Sequence, residues 1–180
     1  MSLDGVIDAP DLVQQAQSYF ISNQEHDNYQ KKKLFAADAL LLGRKTYEAL
    51  SAAYLSMAKS GQGAPMDFVS RMNEIPKYVV SRNLKETTWN AKVIQGDVVE
   101  EVRKMKELPG RDIVKYGTGL LDRVLFGQHL IDSLCIIVYP FVLGHGTHLF
   151  EGTELTTHFR LTNLIRFSNG TVALEYEPRK

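Results

Sequence analysis

The chain has 180 residues, with 21 Lys and Arg balanced by 21 Asp and Glu, no formal net charge, and 44% hydrophobic residues. That length supports one domain, residues 1–180, with a sizeable core. The balanced charge gives no global field for nucleic acid or an anionic membrane, so any anion site must be local. Cys135 is the only cysteine, which excludes an intrachain disulfide framework and fits a reducing cytoplasm. Within the apolar run "LCIIVY" it reads as a small core residue. The longest apolar stretch, "SLCIIVYPFVLG", is too short to span a bilayer and contains Pro140. The start, "MSLDGVIDAPD", lacks the basic and apolar regions of a signal peptide.

In chain order, residues from about Gln24 to Ala36 read as a helix with a very polar face, on which Lys31, Lys32 and Lys33 form a solvated surface. "DALLLG" reads as a strand buried on both faces, and Lys45 to about Ala53 as a helix. "AKSGQGAP" is a loop, followed by a short helix from Met66 to Asn73. "KYVVSR" and "AKVIQ" are strands, and Trp89 before the second packs over a sheet edge. "GDVVEEVRKMKELPG" is a helix with Asp97 as cap, Glu100 completing a capping box and facing Lys104, and Pro109-Gly110 as the stop. "DIVKYG" is a strand, and "TGLLDRVLFGQHL" a helix containing Gly127. "SLCIIVYPFVL", "THFRLTNLIRF" and "GTVALEYEP" are strands, the last two joined at the hairpin signal "SNG", Ser168 to Gly170. The alternation predicts an α/β fold: a mixed, mostly parallel central sheet covered by helices, with antiparallel C-terminal strands.

Three strand ends carry unusual chemistry. The first runs into Gly43-Arg44-Lys45-Thr46, the second into Ser81-Arg82, and the third into Gly117-Thr118-Gly119 and a helix. Helix starts favour acids, because their free N–H groups carry partial positive charge, so Arg44 and Lys45 are misplaced unless an anion sits between them. In open α/β sheets ligands bind beyond the carboxyl ends of the strands. A Gly-x-Gly turn lets backbone N–H groups approach a pyrophosphate. Arg44 and Arg82, with the Thr46 and Ser81 hydroxyls, suit a separate phosphate monoester. NADP carries both groups. Alone, each piece reads more simply as a strand stop followed by solvated residues, and the case rests on all three together; Asp122 stands where the dinucleotide fingerprint has its third glycine.

The segments "SLDGVI", "FAADALLLGRKTYEAL", "KYVVSRNL", "GDVVEEVRKMKELPGRDIVKYGTGLL" and "LIDSLCIIVYPFVLGHGTHLF" resemble the dihydrofolate reductase-like superfamily. Within it, they resemble bacterial proteins similar to the C-terminal reductase domain of the bifunctional riboflavin-synthesis enzyme. The resemblance implies a three-layer α/β fold, NADPH as hydride donor, and a homodimer. It places Gly43, Arg44, Lys45 and Thr46 against the adenosine phosphate and pyrophosphate, and Ser81 and Arg82 near the 2′-phosphate. Tyr116, Gly117, Thr118, Gly119, Leu120 and Leu121 would wrap the pyrophosphate. Asp4 and Gly5, in "SLDG", would approach nicotinamide and substrate, although Asp-Gly is equally a turn former. The family has a strand ahead of "SLDG", so the resemblance implies that roughly 5–8 residues are absent before Met1. Residues between Pro10 and Asp27 match poorly, and Gln24, Glu25, His26 and Asp27 receive no role.

These readings converge on an NADPH-dependent reductase, similar to 5-amino-6-(5-phosphoribosylamino)uracil reductase, acting on a small pteridine- or pyrimidine-like heteroaromatic. The alternative is a non-catalytic nucleotide-binding or interaction protein on the same fold. No residue is assigned as proton donor. His145 and His148, in "LGHGTHLF", have H-x-x-H spacing without further ligands and read as a glycine-rich turn, not a metal site.

Overall fold

Strand-like and helix-like stretches alternate through the first two thirds of the chain in the structure as they do in the sequence. In a computed structural model, residues 1–12, 14–15, 24–152 and 156–179 are described. They form β1 (Val6–Asp8), α1 (Gln24–Ala36), β2 (Ala37–Gly43), α2 (Arg44–Ser60), α3 (Met66–Glu74), β3 (Lys77–Val80) and β4 (Ala91–Ile94). There follow α4 (Val98–Glu107), β5 (Asp112–Tyr116), α5 (Leu120–Gly127), β6 (Leu134–Val138), β7 (Thr147–His148), β8 (Phe159–Arg166) and β9 (Val172–Pro178). The chain divides into two compact units, Gln30–Gly117 on one hand and Met1–Tyr29 with Thr118–Lys180 on the other.

The Gln30–Gly117 unit holds a parallel sheet of order β4-β3-β2-β5. β2 takes an interior position because it is apolar on both faces: Ala37, Ala39, Leu40, Leu41 and Leu42 are all buried. Leu40 and Leu42 share one cluster with Leu34, Tyr47, Met72, Ile75 and Val79. Each fully buried leucine contributes about 1.5–3 kcal/mol.

α2 is longer than its predicted span. Ala52 to Lys59 are mostly strong helix formers with no breaker among them, so the helix continues until Gly61 closes it in the left-handed region at φ +68°, donating to the Met57 carbonyl. The first three residues of the predicted loop "AKSGQGAP" are therefore helical. In α4, Asp97 caps as expected, accepting from Val99 and Glu100 N–H. Glu100, however, pairs with Arg103 at 3.0 Å, and Lys104 with Glu101 at 2.8 Å, in place of the predicted Glu100–Lys104 pair. Both observed pairs lie at i,i+3, where side chains are also neighbours.

Trp89 is not a cover on a sheet edge. It is buried in the main cluster, stacks on Tyr54 at 6.2 Å, and donates its indole N–H to Asn73 Oδ1 at 2.5 Å. Its ring also faces Lys77, whose Nζ lies 4.1 Å from the centroid and donates to the Asn73 carbonyl at 3.0 Å. Lys77 is 1% exposed. It sits just beyond the C-terminal end of α3, where a cation is favoured by the helix dipole and by the indole face.

The other unit contains an antiparallel sheet of order β6-β9-β8 and a two-stranded ladder of β1 with β7. The predicted hairpin forms at Ser168–Gly170, with Gly170 at φ +85°. Cys135 is exposed rather than buried, because β6 is an edge strand. Its thiol lies 2.9 Å from the Tyr29 hydroxyl, which donates to Glu175 Oε1 at 2.7 Å. Tyr29 packs edge-on against Phe167.

Burial lowers the Lys77 ammonium to about 8, below the ordinary lysine value of 10.5. Between those values the unfolded chain binds more protons than the native one, so stability rises with pH over that window and is flat below it. Chemical denaturation from pH 7.5 to 10.5 will show this rise, and Lys77→Met will remove it. The single tryptophan stacked under the ammonium provides an intrinsic fluorescence signal for the same titration.

Candidate functional site

The parallel sheet brings three of the singled-out segments into one row. Gly43 pairs with Val80 across β2 and β3, and Leu42 pairs with Tyr116 across β2 and β5. Arg44, Ser81 and Gly117 are thus the residues that follow three adjacent carboxyl ends. From β2 the chain winds outward to β3 and β4, then returns through α4 to β5 on the opposite side of β2. The winding reverses between β2 and β5, which is where an open α/β sheet leaves a crevice.

α2 opens at this switch point without a side-chain cap. Gly43 is its N-cap, no acidic residue lies in its first turn, and among the described residues beyond its chain neighbours no heavy atom lies within 4 Å of the position a Gly43 Cβ would take. Its first N–H groups consequently lack side-chain acceptors and carry the positive end of the dipole. Thr46, half-buried on the first turn, meets Gly117. A Cβ built on Gly117 would collide with Thr46 Oγ1, and φ there is +76°. Only glycine fits this close approach of β5 to α2.

The cations differ in their engagement. Arg44 Nη1 pairs with Glu48 Oε1 at 2.9 Å, one turn along α2, and both side chains are about half exposed. This pair supplies a local counter-charge of its own to the basic helix start. Lys45 and Arg82 are exposed and make no hydrogen bond or ion pair among the described residues. The Ser81 hydroxyl accepts from Asn83 and Leu84 N–H at 3.3 and 3.1 Å, closing the turn that carries Arg82. Tyr116 packs on the main cluster. Lys115 Nζ donates to the Gly117 carbonyl at 2.5 Å.

Thr118, Gly119, Leu120 and Leu121 belong to the other unit. Gly119 caps α5 and donates its N–H to Asp122 Oδ2 at 2.6 Å. The aspartate standing in the third fingerprint position therefore fastens the helix start. Leu120 is 75% exposed. Thr118, Gly119 and Leu120 line a cavity of about 210 Å³, whose other walls include Ile7, Phe126 and Phe150.

Asp4 is taken up by its own loop. Its carboxylate accepts from the Ser2 hydroxyl at 2.5 Å, from Gly144 N–H at 2.8 Å and from Leu143 N–H at 3.3 Å. The Ser2 and backbone hydrogen bonds hold its pKa at about 2, so it is an anion at neutral pH with no proton to give. Gly5 follows at φ +80° and accepts Leu149 N–H at 2.8 Å.

Sequence reasoning left out the lining contributed by the glycine-rich turn after β6. Gly144 and Gly146 have φ of +74° and +113°, and a Cβ at Gly146 would strike the Asp8 carbonyl and Val6. This turn brings His148 into the cavity lining. His145 is held elsewhere, with Nδ1 3.0 Å from the Leu143 carbonyl and Nε2 3.0 Å from Asp11 Oδ1. The H-x-x-H spacing had suggested the pair; the glycines around it were the signal for the cavity. No group of three His, Cys, Asp or Glu side chains among the described residues is placed to hold a metal ion. No helix among them is long and apolar enough to cross a membrane.

Comparison with known proteins agrees with this architecture. The uncharacterized protein YyaP of Bacillus subtilis (strain 168) is 30% identical over 139 residues, covering 77% of this chain and 73% of that protein. A solved structure from Shewanella sp. PV-4, named for riboflavin biosynthesis, is 20% identical, with a TM-score of 0.74 over 100% of this chain and 96% of its own. Dihydrofolate reductase from Enterococcus faecalis, complexed with NADP(H), is 15% identical, with a TM-score of 0.56 over 100% and 93%. The fold is dihydrofolate reductase-like. The RibD C-terminal domain model matches residues 1–173, and the chain belongs to that family.

Proposed function

We propose that the protein is an NADPH-dependent reductase of a small heteroaromatic substrate, pteridine- or pyrimidine-like. Family membership supports the reductase class. The observation that carries the cofactor is the uncapped start of α2, with Arg44 and Lys45 on it, in one row with Arg82 and Gly117 at the carboxyl ends of three parallel strands. These residues fit a phosphorylated dinucleotide: the open space at Gly43 and the free N–H groups suit an oxyanion, and the two guanidinium groups suit a phosphate monoester. Gly43, Arg44, Lys45 and Thr46 would hold the adenosine phosphate and pyrophosphate, Ser81 and Arg82 the 2′-phosphate, and Tyr116 to Leu121 the pyrophosphate. When bound, NADPH supplies a hydride. The protein contributes alignment, exclusion of water and electrostatics. Asp4 contributes to the shape of the substrate side through its loop, not as an acid. The proposal includes a cytosolic homodimer, as the resemblance implies.

Titration of NADPH and NADH against the protein by fluorescence tests the cofactor site. NADPH binds more tightly, and Arg44→Ala removes most of the preference, a loss of about 10–100-fold for a charge-assisted phosphate contact. Equal affinities for the two nucleotides would refute the two-arginine site. NADPH binding without consumption across a panel of pteridines, aminouracils and quinones would favour a non-catalytic nucleotide-binding protein.

Gly117→Ala tests the close approach of β5 to α2. An alanine there meets Thr46 and must adopt a positive φ. Overpacking and backbone strain together lower stability by roughly 2–4 kcal/mol and weaken NADPH. Pairing it with Thr46→Ser, which removes a methyl but not Oγ1, leaves most of the penalty in place.

A further inference from the structure

We propose that Glu48 competes with the ligand for Arg44: it is the protein's own stand-in for a phosphate monoester, and it sets how strongly the row prefers a 2′-phosphorylated nucleotide. The inference rests on the cofactor reading above, and every residue in it belongs to the Gln30–Gly117 unit.

α2 runs for 17 residues, and Glu48 is its one acidic residue. It stands one turn beyond Arg44, with Oε1 2.9 Å from Nη1, and both side chains are 48% exposed. Helix stability does not explain this placement. An acid serving the helix dipole would sit in the first turn, which holds none. At i,i+4 spacing the stronger order puts the acid N-terminal to the base, and here the order is reversed. α2 is anchored by other residues: Tyr47 is buried in the main cluster, Leu50 and Tyr54 pack against it, and the Tyr47 hydroxyl donates to the Thr88 carbonyl at 3.2 Å. Of Arg44, Lys45 and Arg82, only Arg44 has an acid partner among the described residues.

A phosphate monoester dianion takes a guanidinium by one edge of its fork. On the Nη1–Nη2 edge it must displace Glu48. On the Nε–Nη2 edge it leaves the Glu48 carboxylate as a like-charged neighbour, inside the screening length of about 8 Å at physiological salt. Either approach works against Glu48, whereas a nucleotide with a free 2′-hydroxyl leaves the pair intact. Glu48 therefore weakens binding of the phosphorylated nucleotide alone. The preference for NADPH is smaller than Arg44 and Arg82 would give without it.

The test compares the full chain with its Glu48→Gln variant by titration calorimetry, using adenosine 2′,5′-bisphosphate and 5′-AMP. The variant is expected to bind the bisphosphate about two- to fivefold more tightly and 5′-AMP as before. In 1 M salt, where charges are screened within about 3 Å, the gain disappears. In an Arg44→Ala background, Glu48→Gln gains less than it does in the wild type, because no pair remains to be released. In wild-type protein labelled with ¹³C-glutamate, the bisphosphate shifts the Glu48 carboxyl signal and 5′-AMP does not, a readout that needs the variant only for assignment. Unchanged or weaker bisphosphate binding by Glu48→Gln overturns the proposal, as do equal gains for both ligands or a Glu48 signal indifferent to the bisphosphate. A wild-type protein that binds neither NADPH nor the bisphosphate overturns the cofactor reading beneath it.

Discussion

A strand buried on both faces must end abruptly where it meets solvent, and here β2 ends on a helix that opens with two cations. The free N–H groups of α2 already carry partial positive charge, and Gly43 offers no side chain to absorb it. The fold keeps this unfavourable start because Leu40, Leu41 and Leu42 anchor the strand so firmly. Glu48 offsets part of the charge through Arg44. That exposed pair is worth little, on the order of half a kcal/mol, too little to account for Arg44, Lys45 and Arg82 together. On the proposed reading an anion offsets the remainder across the row of three carboxyl ends, and the close contact of Gly117 with Thr46 fixes the approach of β5 to α2.

Much of the fold was legible because its strands are extreme. The continuous apolar run of β2 declared a doubly buried strand, and Asp97 declared the start of α4. The hairpin at Ser168–Gly170 followed from glycine chemistry. Local pairing choices were less legible. Glu100 could face Arg103 or Lys104 with little difference in energy, and the choice depends on rotamers. The end of α2 depends on where the first breaker stands, and Gly61 was passed over in favour of an earlier stop.

Burial was harder to read than secondary structure. "LCIIVY" gives Cys135 apolar neighbours on both sides, yet exposure depends on strand order, and β6 falls at an edge. Trp89 lies in a polar-looking connection between β3 and β4. It enters the core because that parallel connection has no helix, and an aromatic side chain fills the space instead. The candidate site divides in the same way. Gly43, Arg44, Arg82 and Gly117 were visible as residues out of place. The engagement of Asp4 by Leu143 and Gly144 was not, because those donors lie 139 and 140 residues further along the chain.

The proposed anion-binding row can be tested directly, without turnover. In amide NMR spectra, adenosine 2′,5′-bisphosphate should shift the N–H signals of Arg44 to Tyr47, Arg82 and Gly117 together, with 5′-AMP producing much smaller changes. Shifts that miss the start of α2, or that are the same for both nucleotides, would contradict the account.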